Sequence, residues 1–164
     1  MTITEPMTMA TDYVLAAACI AFGIWASRRD RVHRAMALWA LTFFAGAASA
    51  ALGGTHHGLG LSLGTADKAL WEITLLVIGG TGAFMLCAAI VSSLKDKTQP
   101  YVRWMIAGLT ISVAAIVVQR IGWDLHRYFK HNDVYHVVQL AGFWCLFEGA
   151  RLLEKKVLSS RPAN

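Results

Sequence analysis

Long apolar runs, broken by short polar and often basic connections, dominate the chain. Five stretches, over about 11–27, 35–53, 69–94, 102–123 and 134–153, approach the length of about 20 mainly apolar residues that a helix needs to cross a bilayer. They predict an all-α integral membrane protein, a bundle of five transmembrane helices forming one domain over 1–164, with a frayed tail at 154–164. Charged residues punctuate the runs: Arg28-Arg29-Asp30-Arg31 stops the first and Glu154-Lys155-Lys156 the fifth, while Pro100 precedes the fourth. Gly46 and Ala50, four apart in the second run, form a small face that lets a neighbouring backbone approach closely. Gly79, Gly80 and Gly82 in the third are read as a packing contact, not a hinge, since bilayer helices tolerate glycine where packing is tight. These small-residue faces suit either intramolecular packing or self-association into a homo-oligomer. No Lys or Arg precedes Arg28, whereas a cleavable signal peptide has a positive n-region, so the first run is expected to be retained as a helix.

Composition agrees with the pattern, since 56% of the residues are hydrophobic, too many for an ordinary water-soluble domain. The formal charge of +5 comes from basic residues set between apolar runs, with no continuous stripe interleaved with aromatics, which argues against nucleic acid as a partner and for membrane topology. The linker after the first run holds Arg28, Arg29, Arg31 and Arg34. Lys95, Lys97 and Arg103 follow the third run, and Arg151, Lys155, Lys156 and Arg161 surround the end of the fifth. The other side has Lys68, Arg120, Arg127 and Lys130, so eleven basic residues against four place the N-terminus outside and the C-terminus in the cytoplasm. The expected location is a bacterial inner (cytoplasmic) membrane. Tyr13, Trp71, Trp123, Tyr128 and Tyr135 mark the outer interface, and Trp25, Trp39, Tyr101 and Trp104 the inner one. Cys19, Cys87 and Cys145 lie inside apolar runs without paired spacing and suggest no disulfide framework.

This topology gathers His56, His57, His126, His131 and His136 at the outer ends of helices, with Asp12, Asp67, Glu72, Asp124 and Asp133, and leaves His33 inside. Asn132, Asp133 and His136 share one helix face, with Gln139 a further turn along. Ser49 lies two turns before His56, and Asp67 and Glu72 begin the third helix. Histidine and carboxylate suit zinc, which needs about three protein ligands and one open position for water. Such an ion brings the pKa of its water to about 7, and a nearby carboxylate can take the proton. Other readings of the same residues stay open. His56 and His57, which as neighbours cannot point the same way, can sit in an interfacial turn bonding helix-end carbonyls. Asp67 and Asp133 can be helix caps, and His136 can make a helix-to-helix hydrogen bond.

His56 at the end of an apolar helix, Asp67 eleven residues later, and a last helix opening Asn132-Asp133-Val134-Tyr135-His136-Val137-Val138 resemble the CREST superfamily, which includes the alkaline ceramidases and the progestin and adiponectin receptors. The resemblance implies a helical membrane protein that holds zinc through one histidine near the end of an early helix and two in an HxxxH motif opening the last. It also implies hydrolysis of lipid amides. Carried over, His56 is the first ligand, His136 the last, and Asp67 the supporting acid. The chain departs from the pattern at Asn132, where a ligand histidine is expected, at Leu52, where a serine is expected, and in having five apolar runs instead of seven.

Three functions compete. The first is a membrane-embedded zinc hydrolase acting on a lipid amide or ester at the outer leaflet. Its metal ligands are His56 and His136, with His131 or His57 completing the set, its catalytic acids are Asp67 and Asp133, and Asn132, Ser49, Glu72 and Gln139 support them. The second is a non-catalytic lipid-binding or assembly protein whose polar cluster holds helices together. The third is a redox subunit in which His56 or His57 and His136 ligate a b-type haem.

Overall fold

The computed structural model describes residues 3–29, 34–93 and 99–159. Arg31, Lys95, Lys97 and Arg161, used above for topology, and His33, placed by it, lie outside them, as does the tail from 160 onward. The described residues form five helices: α1 (Pro6–Ser27), α2 (Arg34–Leu63), α3 (Ala66–Ser93), α4 (Pro100–Ile121) and α5 (His131–Ser159). They contain no strand, and one isolated bridge between His126 and Phe129 tightens the connection from α4 to α5. α1 to α4 are each long and apolar enough to cross a membrane, which indicates a membrane protein. α5 is as long, at 29 residues, but it carries polar groups at both ends and falls short of that hydropathy.

Four of the five helices outrun the apolar pattern that predicts them. α1 begins at Pro6, because proline suits a first turn whose N–H groups have no partner within the helix. α2 continues to Leu63, ten residues past the end expected at 53. The glycines there serve close approach, not a break: a Cβ on Gly54 would stand 2.9 Å from the Asp12 Cβ and 3.3 Å from the Met9 carbonyl oxygen of α1. α5 runs to Ser159, past the expected end at 153, held by buried Leu153 and by Glu154, which meets Arg29 from the end of α1.

The helices lie in the spatial order α3, α2, α1, α5, α4. α1 is central, packed on α2 and α5, while α3 covers the far side of α2 and α4 that of α5. α3 and α4 are consecutive in sequence and barely touch. α4 and α5 meet backbone to backbone at Gly108, where a Cβ would stand 2.9 Å from the Gly142 carbonyl oxygen. The small face of α2 also finds its neighbours, since the Gly46 position faces Phe143 of α5 and Cys19 of α1. The glycines of α3 do not: nothing lies within 4 Å of the Cβ positions of Gly79, Gly80 and Gly82. The packing expected there is absent within the described chain because α3 meets α2 along a different face, through Thr74, Thr81, Ala88 and Ser92. Leu75, Leu76, Leu86 and Ile90 of α3, and Ile106, Val113 and Ile116 of α4, are left exposed, an apolar surface suited to lipid and not to water.

The core has two characters. Toward the end where α1 stops and α2 starts, Phe22, Trp25, Phe43, Trp144 and Phe147 interlock, with Phe22 and Phe147 stacked at 4.5 Å between ring centroids. This is called the arginine end, after the residues that rim it. The opposite end, where α1, α3 and α5 begin and α2 and α4 stop, collects the histidines among the described residues.

Histidine–carboxylate pairs at one end of the bundle

The close crossing of α1 over Gly54 drives Asp12, in the second turn of α1, into the interior, where only 3% of it is exposed. Its Oδ1 lies 3.0 Å from Nε2 of His136 on α5. The other ring nitrogen of His136, Nδ1, lies 3.0 Å from the Thr11 hydroxyl, which also donates to the Thr8 carbonyl. A ring nitrogen and a carboxylate oxygen approach to 3.0 Å only with a proton between them, so this buried pair holds one whichever partner owns it. Asp12 Oδ2 is buried without a hydrogen-bond partner.

Asp133 is buried beside this pair, with Oδ1 3.5 Å from the Thr11 hydroxyl. Its Oδ2 accepts the Lys130 N–H at 2.7 Å, the reach-back of an acidic residue in the first turn to the residue that opens a helix. Asp133 therefore acts as a cap, one of the two roles its position allows.

His56 and His57, expected to point apart, instead lie with ring centroids 5.2 Å from each other and both against Trp71, although they take different carboxylates. His56 Nδ1 meets Oδ1 of Asp67, in the first turn of α3, at 2.7 Å, and its ring stacks on Trp71 with centroids 4.7 Å apart. His57 Nδ1 lies 3.0 Å from Oε2 of Glu5, just ahead of α1. This is an ion-pair distance, although Oε2 lacks a partner with hydrogen-bond geometry. The segment carrying Glu5 is tied to α2 by the Thr4 and Glu5 N–H groups, which donate to the Gly58 and His57 carbonyls. Glu5, His56, His57, Gly60, Leu61 and Asp67 line a cavity of about 390 Å³.

His131 is placed elsewhere. It opens α5 at the surface, where its backbone N–H and Nδ1 meet Asp124 Oδ1 at 2.7 and 2.9 Å. The backbone hydrogen bond first, and the ring second, hold the Asp124 carboxyl below its ordinary range. The remaining expected residues are dispersed. Asn132 accepts from Gln119, and Gln139 donates to Ser112, both across α4 and α5. Ser49 bonds the Gly46 carbonyl in its own helix, and Glu72 lies 3.9 Å from Lys68 on the surface of α3.

Four histidines are thus each matched to a carboxylate, and each pair joins different elements: Glu5 to His57, Asp12 to His136, Asp67 to His56 and Asp124 to His131. Sequence reasoning placed His56 and Asp67 in one site only through the family resemblance, read Trp71 only as a marker of the outer interface, and gave no role to Glu5 or Thr11. Asp12 had a legible signal, a carboxylate inside an apolar run. Glu5, ahead of the first run, had none.

The residues expected to hold zinc take separate partners in the described structure. His136 has Thr11 and Asp12 against its two ring nitrogens, and His131 is bound to Asp124 in the loop. Among the described residues, no group of three or more His, Cys, Asp or Glu is placed to hold a metal ion. Both His136 ring nitrogens are thus engaged within the helices, Nε2 by Asp12 and Nδ1 by Thr11. No curated protein and no solved structure matches the chain. Residues 7–102 and 90–155 match DUF6962, a family of unknown function, in a span that reaches from α1 into α5, and the chain belongs to that family.

Proposed function

We propose that the protein crosses the membrane five times, N-terminus outside, and that its outer-end cavity is a hydrolytic centre for an amide or ester of an outer-leaflet lipid. His56 is the general base and Asp67 the residue that orients it. The observation that carries this reading is the 2.7 Å contact of His56 Nδ1 with Asp67 at the wall of the cavity. An ionised carboxylate only accepts, so the proton sits on Nδ1 and Nε2 keeps a basic lone pair. A base fixed in this way can take a proton from water and return it to the leaving amine or alcohol. The 30 residues of α2 rise about 45 Å against a hydrocarbon core of about 30 Å, which supports an interfacial position for His56, near the end of that helix. No step of this reading runs through zinc.

The second reading is the assembly protein, favoured by the way each histidine–carboxylate pair bridges two elements. One experiment separates the two. In lipid nanodiscs presented with lipid amides and esters, His56→Gln and Asp67→Asn are expected to lower the rate about 100- to 10,000-fold while the unfolding midpoint holds. No wild-type turnover, with both variants easier to unfold, leaves the assembly role. Elemental analysis of the same samples tests the metal directly: one zinc per chain, lost in His136→Ala, would restore the zinc reading over both.

A further inference from the structure

The arginine end carries a cleft that none of the polar pairs explains. At the joined ends of α1 and α2 the Phe44 ring lies across α1 at Gly23, 2.8 Å from where a Cβ would be, and closes one end of the space. Beyond it the walls are small or apolar, formed by Ala26 of α1 and Met36, Ala37 and Leu41 of α2, and they enclose about 330 Å³. That volume is in the range of small-molecule sites. Leu41 and Phe44 are partly exposed on the outer surface of the helices, so the cleft opens sideways, toward lipid.

Arg29 also lines this cleft. Its Nε lies 3.5 Å from Glu154 of α5, and its guanidinium carbon stands 5.2 Å from the Trp25 ring. These contacts fix the head group while using the Nε side of the fork. Arg28 and Arg34, at the end of α1 and the start of α2, add positive charge at the same end of the bundle. An apolar slot open to the bilayer, with a positioned guanidinium and a surplus of positive charge, matches an acyl chain continuous with a phosphodiester. A zwitterionic head group would bring a second cation into this surplus.

We propose that the cleft between the end of α1 and the start of α2 binds one acyl chain of an anionic phospholipid whose phosphate is held by Arg29. The site stands at the opposite end of the bundle from the histidines and does not depend on the hydrolytic reading. The test uses the full chain in mixed micelles containing equal phosphatidylglycerol and phosphatidylcholine, with retained lipid read by native mass spectrometry. The wild type is expected to keep one phosphatidylglycerol per chain, about tenfold in preference to phosphatidylcholine. Ala37→Trp, at an exposed position that fills the cleft, and Arg29→Gln are each expected to abolish the preference. Equal retention of the two lipids by the wild type overturns the proposal, and so does a preference that survives either variant in folded form. If Arg29→Gln does not fold because Glu154 loses its partner, Ala37→Trp decides alone.

Discussion

The two ends of the α1, α2 and α5 core are held by different forces. At the histidine end, the elements are joined through paired ionisable groups, of which Asp12 and His136 are the most buried. At the arginine end, the same three helices meet through aromatic rings, with Arg29 and Glu154 at the rim. Ring packing is tolerant, because one apolar ring can replace another at modest cost. A buried acid is not, since a helix that slides or rotates leaves it facing hydrocarbon. Membrane hydrogen bonds between helices average only about 0.6 kcal/mol when formed, so the histidine end contributes less by net stability than by penalising wrong arrangements. The aromatic end sets how closely the helices pack, and the polar end sets which partners meet and in what register.

The sharpest way to break this contrast is Asp12→Ala. It strands His136 in the interior, and removal of one partner of a buried pair costs about 3–5 kcal/mol, read as a fall in unfolding free energy in mild detergent. A cost below that of an aromatic substitution at the other end would invert the comparison. Phe22→Leu samples that other end. Phe22 packs on Phe43, Trp144 and Phe147, and removing its ring should cost about 0.5–1.5 kcal/mol for each of these aromatic pairs without altering which helices meet. Cysteine cross-linking between α1 and α5 should therefore survive Phe22→Leu and fail in Asp12→Ala.

The smallest effect is expected at the surface pair. Asp124 has its carboxyl held below the ordinary range by the His131 N–H, so its ionised form is favoured in the folded loop. The contribution is present above the ordinary carboxylate value and is lost as pH falls through the lowered one. Protection of the His131 amide, taken relative to its intrinsic exchange rate at each pH, should fall below that point in the wild type, and Asp124→Asn should flatten the dependence. Protection that rises on acidification would contradict the assignment.

Much of the helical framework was legible because apolar length is a local property. The runs at 11–27, 35–53, 69–93 and 102–121 fall on helices. α4 stops at Ile121, short of the expected 123, because Gly122 turns the chain in the left-handed conformation, and residue 94 lies outside the described residues. The extensions of the other helices were illegible because contacts elsewhere in the chain hold them. Nothing near residue 54 announces that α2 continues. The continuation depends on α1, far earlier in the chain, crossing at Gly54. The glycines of α2 and α3 look alike in sequence, yet one set lies against α1 and α5 and the other faces outward. Only the position of each helix in the row distinguishes them.

The candidate site divides in the same way. His56, His57, His136 and Asp67 stood out because ionisable groups at the ends of apolar runs are costly and few, and the order of those runs along the chain placed them at one end of the helices. Which carboxylate each histidine meets was a tertiary decision. The chain by itself determined that it forms long apolar helices and that its histidines gather together, since both follow from residue type and spacing. Only the packing of α1 against α5 decided that Asp12 belongs to His136, and that of α3 against α2 that Asp67 belongs to His56, because a pairing is fixed by which backbones come close enough to exclude every other partner.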